Sequence, residues 1–197
     1  HAYDADKLAK YGELSIETRL SRKGDKIALL NGKLVELTDD QTVLITSNDI
    51  PVGIAGCMGG ADTEVDNNTT NVVLECANFD MYSIRRSSMK YGLFTDAVTR
   101  FNKGQSNLQN EVVIEQMATL VQSIAGGRVS SDLIDNKTDL VIPRSSVQVS
   151  ADFINSRLGS SLSEVEIVKL LENVEFIVHT QDGLLDITPP FWRTDIA

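Results

Sequence analysis

The chain has 197 residues, of which 42% are hydrophobic, and its mean hydropathy is close to zero, as expected for a soluble globular protein. Its 18 Lys and Arg against 28 Asp and Glu give a net charge of −10, so any nucleic-acid contact must come from a local patch. No apolar run approaches the roughly 18 residues of a membrane span and no signal peptide opens the chain, which predicts a cytoplasmic protein without a membrane partner. Cys57 and Cys76 lack the paired spacing of a zinc site, so no metal site is predicted.

Short apolar runs separated by turn residues predict a β-rich first half. In KIALLNGKLVEL, Asn31-Gly32 lies between two β-rich runs and predicts a hairpin with a two-residue turn and positive φ at both turn positions. Further strands are predicted at TVLIT (42–46), VGIAG (52–56) and VVLECA (72–77), with clusters of Asp, Asn, Thr and Gly between them. These runs favour a mixed β-sheet.

An amphipathic helix is predicted after these strands. Apolar residues recur at three- and four-residue steps between positions 108 and 124. Ser106 or Asn107 can cap the start of this helix, and Gly126-Gly127 ends it. We expect the helix to pack on the sheet, which makes the first domain α+β.

The polar stretch SDLIDNKTD (131–139) predicts a boundary between one domain at residues 1–137 and another at residues 140–197. After it, ADFINSRLG predicts a short helix that Gly159 closes. Ser163 with a Glu three residues later predicts a capping box for a second helix.

Asp182-Gly183 then predicts a hairpin, so the second domain has a helix-helix-hairpin order like that of a winged helix. Residues 138–197 carry four Lys and Arg against nine Asp and Glu, a charge of −5. This charge argues against a module that reads nucleic acid.

The segment GIAGCMGGAD (53–62) is rich in glycine. Gly56, Gly59 and Gly60 allow a tight bend and let a ligand approach bare backbone amides. The segment matches neither a P-loop nor a dinucleotide-binding fingerprint. A plain turn and a ligand-lining turn therefore both stay open as interpretations.

An acid, Glu75, is set inside the apolar run VVLECANF. The period of a strand predicts that it shares one face with Val73 and Ala77. A buried carboxylate without a partner costs several kcal/mol and would take up a proton instead. Glu75 is therefore either an exposed strand acid or a carboxylate that meets a hydrogen-bond donor in a polar pocket.

Residues 80–104 contain the one basic patch of the sequence, with a local charge of +3 from five Lys and Arg against two Asp. A solvated helix face and a contact with RNA phosphates are both compatible with this patch. The basic residues are Arg85, Arg86, Lys90, Arg100 and Lys103.

Five motifs occur in order along the chain and together resemble the bacterial phenylalanyl-tRNA synthetase beta chain. Residues 1 to about 137 resemble the editing module of that family, and residues from about 140 to 197 resemble the small domain that follows it. The family's editing module begins several strands before the HAYD motif, so we expect a chain that is incomplete at both ends. The motifs are HAYDADKL (1–8), GIAGCMGGADTEV (53–65), TTNVVLECANFD (69–80), SIRRSSMKYGLFTDAVTRFNKG (83–104) and PPFWRTDI (189–196).

The resemblance implies that the first domain hydrolyses tyrosine wrongly esterified to phenylalanine tRNA. A synthetic site built for phenylalanine cannot strongly reject an analogue that merely adds a hydroxyl, so a second site must recognise that hydroxyl. By resemblance, Glu75 accepts a hydrogen bond from the tyrosine phenol and the small Ala97 leaves room for the ring.

The resemblance also implies a catalytic set of His1, Gly59, Gly60 and Thr95. The two glycines match a turn whose backbone borders the scissile ester and can donate to a developing oxyanion. Thr95 matches a position in the pocket wall, and His1 matches a motif histidine near the terminal adenosine.

Two partners are implied, namely phenylalanine tRNA mischarged with tyrosine and the synthetase alpha chain. Arg85, Arg86 and Arg100 are the expected nucleic-acid contacts. No cofactor is expected in this segment, since ATP and Mg²⁺ act at other sites of the complete enzyme. The sequence departs from the family at Phe94, where the family usually has a basic residue, and at Asn102, where it usually has an acid. These departures affect the expected tRNA contacts more than the expected pocket. A non-catalytic tRNA-binding or subunit-assembly module is the alternative function.

Overall fold

The structure, a computed structural model, describes residues 1–136 and 146–196. The chain divides into two compact units, His1–Asp132 and Leu133–Ala197. The domain limits predicted at residues 137 and 140 lie outside the described residues.

Strands and helices are both present in the first unit, as the predicted α+β class requires. Two 3-10 turns, Ala9–Tyr11 and Ala61–Thr63, accompany them. The strands are β1 (Ala2–Asp4), β2 (Glu17–Leu20), β3 (Lys26–Ala28), β4 (Leu34–Glu36), β5 (Val43–Ser47), β6 (Ile50–Ile54), β7 (Met58–Gly59) and β8 (Val72–Leu74). The helices are α1 (Ala5–Leu8), α2 (Met81–Tyr91), α3 (Asp96–Phe101) and α4 (Asn110–Ala125).

The described strands of this unit form a four-stranded sheet in the order β2-β5-β6-β7 and two ribbons, β1-β8 and β3-β4. Every pair among them is antiparallel, whereas the sequence predicted a mixed sheet. For neighbours in the sequence such as β5 and β6, which Asn48-Asp49 connects, the reason is the short connection, because parallel neighbours need a crossover of a dozen or more residues.

The predicted hairpin is formed by β3 and β4, which pair from Lys26 with Glu36 to Ala28 with Leu34. Its turn differs from the prediction, because Gly32 has a φ of 81° while Asn31 is not among the residues with positive φ. Asn31 instead accepts a hydrogen bond from the Lys33 N–H through its side-chain oxygen at 3.0 Å. The turn is thus a longer one with a single left-handed glycine.

The core of the first unit is one buried cluster to which the four-stranded sheet, the two ribbons and α2 all contribute. Leu44 on β5 and Ile54 on β6 are almost fully buried, and Ile84 of α2 packs into the same cluster. Burial of each such side chain stabilises the fold by about 1.5–3 kcal/mol. Leu93 and Val98 belong to this cluster too, so the segment from α2 to α3 is held against the glycine-rich turn.

The amphipathic helix predicted after the strands is present as α4, but it begins at Asn110. Ser106 accepts the Leu108 N–H at 3.2 Å and therefore caps a turn that precedes the helix. No residue of α4 is buried, and Leu120 and Ile124 are 57% and 77% exposed. The helix contacts β8, but its apolar face is not buried against the sheet, which differs from the prediction.

The second unit has a three-stranded antiparallel sheet in the order β10-β11-β9 and two helices. Its helix-helix-hairpin order is as predicted, while the winged-helix detail stays a prediction. The elements are β9 (Val147–Val149), α5 (Ala151–Leu158), α6 (Glu164–Glu172), β10 (Ile177–Gln181) and β11 (Leu184–Thr188).

The helix end, the capping box and the hairpin turn that the sequence predicted in the second unit are confirmed. Gly159 ends α5 in the left-handed conformation. Ser163 and Glu166 form the predicted capping box at α6. Asp182 and Gly183 connect β10 to β11 with φ values of 51° and 75°, as a two-residue hairpin turn requires. None of the helices in the described ranges combines the length and apolarity needed to cross a membrane.

Candidate functional site

The ribbon of β1 and β8 brings His1 beside Glu75. The backbone nitrogen of His1 donates to the Glu75 carbonyl oxygen at 2.7 Å, and the Glu75 N–H donates to the His1 carbonyl oxygen at 2.9 Å. These bonds continue the register in which Ala2 pairs with Leu74. Glu75 therefore lies directly after β8, and the strand is shorter than the predicted 72–77.

The Glu75 carboxylate is half-buried and accepts a hydrogen bond from the Tyr3 hydroxyl, with 3.4 Å between the two oxygens. Tyr3 is only 2% exposed. Burial raises the pKa of Glu75, whereas the positive α-amino group of His1 and the hydrogen bond from Tyr3 act in the opposite direction. Burial, reinforced by the neighbouring carboxylate, also raises the pKa of the Tyr3 phenol. Tyr3 is thus the donor and Glu75 the acceptor, and Glu75 is not a freely solvated strand acid.

The imidazole of His1 lies against both Tyr3 and Gly59. The ring centroids of His1 and Tyr3 are 4.4 Å apart, with the planes tilted by 45°. A Cβ atom added to Gly59 would stand 2.5 Å from His1 Cε1 and 2.8 Å from His1 Nε2, closer than real Cβ atoms approach other groups. Only glycine permits this contact, so Gly59 belongs to the same cluster as His1 and Glu75.

The adjacent Gly60 has a different role. Its N–H donates to the Val52 carbonyl oxygen at 2.7 Å, and an added Cβ would stand 2.8 Å from that oxygen. Because hydrogen bonds alternate along an antiparallel pair, the N–H of Gly59 faces away from β6. On that side the Gly59 carbonyl accepts the Leu30 N–H at 3.1 Å. Of the two predicted backbone donors, Gly60 is engaged by the sheet, which leaves the Gly59 N–H as the candidate.

Thr95 and Ala97 lie at the start of α3. The Thr95 hydroxyl donates to the Cys57 carbonyl oxygen at 2.8 Å and accepts the Val98 N–H at 3.2 Å. It therefore caps α3 and ties this helix to the glycine-rich turn. Ala97 is exposed in the first turn of α3. The structure thus gives Thr95 a hydroxyl that is engaged on both sides, while Ala97 presents a small side chain to solvent.

One surface cavity of the first unit, of about 220 Å³, is lined by residues of β3, β6 and the Ala61–Thr63 turn. Among the predicted site residues, its lining includes Gly60 but not Glu75, Thr95 or Ala97.

The basic residues of the patch are exposed. Arg85 and Arg86 lie on α2, where the Arg86 guanidinium donates to the Ser83 hydroxyl at 3.3 Å. Arg100 is exposed on α3. Lys90 instead forms an ion pair with Asp39 at 2.5 Å and so contributes to the fold. The sequence predicted one patch of five basic residues. In the structure Lys90 is already paired with Asp39, so it is less available to a partner than the arginines.

Tyr3 is the residue of the cluster that the sequence reasoning missed. It lies two positions after His1, which extends the pairing of β1 by one residue, and the period of a strand places both side chains on the same face. Across the ribbon Tyr3 pairs with Val73, which makes Glu75 its diagonal neighbour. The spacing of His1 and Tyr3 in HAYD, two positions apart in an extended segment, was the sequence feature that could have identified Tyr3.

Residues 1–126 match the family described as the B3/4 domain. The chain belongs to the B3/4 domain family. Residues 147–197 match the tRNA synthetase B5 domain, so the B3/4 domain and the B5 match fall on different parts of the chain.

The chain that carries this B3/4 domain is similar over its whole length to two relatives called phenylalanine–tRNA ligase beta subunit. It is 38% identical over 197 residues to the protein from Lactobacillus johnsonii and 35% identical over 196 residues to the protein from Halalkalibacterium halodurans. The comparison covers 100% of this chain and 24% of each relative. The predicted resemblance to the phenylalanyl-tRNA synthetase beta chain is confirmed.

A solved N-terminal fragment of the phenylalanyl-tRNA synthetase beta subunit from Pyrococcus horikoshii is a structural neighbour. It is 18% identical, and the comparison covers 100% of this chain and 55% of that one. The TM-score is 0.48, which is too low to support an argument about the fold.

The cluster in the B3/4 domain combines groups with distinct chemistry. The Glu75 carboxylate can accept a hydrogen bond from a ligand hydroxyl, and the His1 imidazole can hold or pass on a proton. The Gly59 N–H can donate to an oxygen that gains negative charge. Within the described ranges, no group of three or more His, Cys, Asp or Glu side chains is placed to hold a metal ion.

Proposed function

We propose that this chain is part of a cytoplasmic phenylalanine–tRNA ligase beta subunit and that its B3/4 domain hydrolyses tyrosine mischarged on phenylalanine tRNA. The observation that carries the proposal is the half-buried Glu75 carboxylate beside His1 and Gly59. Phenylalanine tRNA and the synthetase alpha chain are the proposed partners. ATP and Mg²⁺ are proposed to act at sites outside this segment.

Recognition of tyrosine is assigned to Glu75. An ionised carboxylate offers about four acceptor positions, and Tyr3 fills one of them at the long distance of 3.4 Å. A substrate phenol can fill another, whereas a phenylalanine ring would leave the half-buried carboxylate without that donor. A site that hydrogen-bonds a substrate hydroxyl discriminates strongly against the analogue that lacks it.

Hydrolysis is assigned to the edge of the cluster formed by Gly59 and His1. Water attacks the ester carbonyl, and the carbonyl oxygen gains negative charge that the Gly59 N–H can stabilise. The ribose oxygen leaves with a proton, which yields free tyrosine and uncharged tRNA. His1 lies against Gly59, where its imidazole can hold either the attacking water or the terminal adenosine.

Room for the substrate ring is assigned to Ala97. It is exposed in the first turn of α3, and Thr95 fixes this helix to the glycine-rich turn through the Cys57 carbonyl oxygen. A large side chain at position 97 would fill the space proposed for the ring.

The test compares tyrosyl-tRNA deacylation with phenylalanine charging in the assembled alpha/beta enzyme. Ala97→Trp is expected to abolish deacylation and to leave charging intact, because charging uses another site. Ala125→Trp, which enlarges another exposed helical alanine, is the matched control and should change neither activity. Normal deacylation by the Ala97→Trp enzyme would contradict the proposal.

A second candidate function is a non-catalytic tRNA-binding or assembly module. It is favoured by the exposure of Arg85, Arg86 and Arg100 in a chain whose net charge is −10. Under this alternative, changes at these arginines weaken tRNA binding, while changes at Glu75 and Ala97 leave the clearance of tyrosyl-tRNA unchanged. The two functions are therefore separated by the same deacylation assay.

A further inference from the structure

We infer that Tyr3 is a positioning residue of this site, and that its hydroxyl holds the Glu75 carboxylate in the orientation from which it accepts the substrate phenol. The inference rests on the function proposed for Glu75. It adds a residue that acts through Glu75 and does not itself touch the substrate.

The first observation is the position of Tyr3. It is paired with Val73 in the ribbon of β1 and β8, lies diagonally from Glu75 and is 2% exposed. Its ring also packs against the imidazole of His1. Tyr3 therefore contacts both proposed site side chains from the buried side, where a substrate cannot reach it.

The second observation is a comparison with another tyrosine–carboxylate pair in the same unit. The Tyr91 hydroxyl donates to Asp39 at 2.7 Å, a usual length for an O–H···O bond. Asp39 also accepts bonds from Ser21, Thr42 and Lys90, so its oxygens are well supplied with donors. That pair is part of the fold's own polar network.

Glu75 differs from Asp39 in this respect. Among the described residues, Tyr3 is the side chain that donates to the Glu75 carboxylate, and its bond is longer by 0.7 Å, at 3.4 Å against 2.7 Å. A partly buried carboxylate with so few donors keeps acceptor positions for a further one. Tyr3 thus orients Glu75 without saturating it, as a recognition site requires.

Loss of the Tyr3 hydroxyl has two expected effects on Glu75. The carboxylate loses the bond that fixes its orientation, and it loses an interaction that favours its charged form. The titratable groups around it in the described structure are the Tyr3 phenol, the α-amino group and imidazole of His1, and the adjacent Cys76 thiol. With the hydroxyl removed, burial acts on Glu75 with less opposition, so its pKa should rise further.

The experiment measures hydrolysis of tyrosyl-tRNA and phenylalanyl-tRNA by the assembled enzyme carrying Tyr3→Phe. The ratio of the two rates is expected to fall about two- to twelvefold, the range that corresponds to one net hydrogen bond. The low-pH limit of the tyrosine preference should move to higher pH, since protonated Glu75 is the poorer acceptor. Tyr91→Phe is the matched control, because it removes a buried phenol from a carboxylate elsewhere in the unit and should leave the ratio unchanged.

A double-mutant cycle separates the inference from the function on which it rests. In the Glu75→Ala enzyme, the added Tyr3→Phe change should have no further effect on the ratio. A wild-type ratio in Tyr3→Phe, or an equal fall in both backgrounds, would overturn the positioning role while leaving Glu75 as the recognition residue. A Glu75→Ala enzyme that keeps its tyrosine preference would overturn the proposed function and the inference together.

Discussion

The imidazole of His1 lies directly over Gly59, so that a methyl group on the Gly59 α-carbon would stand 2.5 Å from His1 Cε1. At the next residue, Gly60, an added methyl group would instead stand 2.8 Å from the Val52 carbonyl oxygen. A side-chain ring can rotate away from such a contact, but the Val52 carbonyl oxygen can move only if the hydrogen-bonded backbone of the sheet moves with it. The two neighbouring glycines should therefore respond differently to the same substitution.

We expect Gly59→Ala to reduce tyrosyl-tRNA deacylation by about 100-fold, since a displacement of about 1 Å in an active site has an effect of that size. The unfolding free energy should change little, because the His1 side chain can yield. Gly60→Ala should lower the unfolding free energy by about 1–3 kcal/mol, as overpacking does. Deacylation rates and denaturant unfolding of both variants test this contrast, and a stable, fully active Gly59→Ala protein would contradict it.

Thr95 is expected to act through structure. Thr95→Val removes the helix cap and the bond to the Cys57 carbonyl oxygen, which should lower the unfolding free energy by about 0.5–2 kcal/mol. Thr95→Ser keeps the hydroxyl and should be close to wild type in both stability and deacylation. Equal losses in the Val and Ser variants, measured by denaturant unfolding, would show that the hydroxyl is not what matters at this position.

The exposed arginines of α2 are expected to bind tRNA phosphates. Charge reversal at Arg85 and Arg86 should weaken tRNA binding by the assembled enzyme. It should also reduce the dependence of log K on log salt by about 0.7–0.9 for each phosphate that the variant no longer neutralises. Reversal at Lys10 and Lys23, two exposed lysines of the same unit, changes the net charge equally and is the control. Identical salt slopes for the two double variants would identify the patch as a solvated helix face.

Asp39 should make the stability of the first unit depend on acid pH. Burial alone would raise its pKa, but hydrogen bonds from Lys90, Tyr91 and Thr42 hold that pKa well below its usual range. The folded pKa is thus lower than the unfolded value of about 3.9, so the stabilisation is present above about pH 4 and is lost as the pH falls further. Asp39→Asn should be less stable at pH 7 and lose less on acidification, whereas Asp40→Asn should follow the wild type. Unfolding free energies between pH 7 and pH 3 test this.

Elements that depend on neighbouring residues could be predicted from the sequence. The capping box of Ser163 and Glu166 and the left-handed Gly159 each use chemistry contained within a few residues. The apolar period of α4 likewise predicted a helix, because the period is local. The same period could not predict whether another element covers that face.

The parts of the site that were not predicted depend on interactions between distant segments. The hydrogen bond from Tyr3 to Glu75 requires β1 and β8 to pair in one register, and the two residues are 72 positions apart in the sequence. The amide of Gly60 is engaged because Val52 lies across the sheet, which no local pattern indicates. A hydrogen-bonded Glu75 was one of two open alternatives, and its environment became clear only with the fold.

The role of Glu75 is tested most directly by the preference of the assembled Glu75→Ala enzyme for tyrosyl-tRNA over phenylalanyl-tRNA in hydrolysis. A hydrogen bond to a charged group contributes about 1.5–3 kcal/mol, so the preference should fall by about 10- to 150-fold. Phenylalanine charging, measured beside it, should not change. If the Glu75→Ala enzyme still cleared tyrosyl-tRNA with the wild-type preference, Glu75 would be only a structural acid at the end of β8.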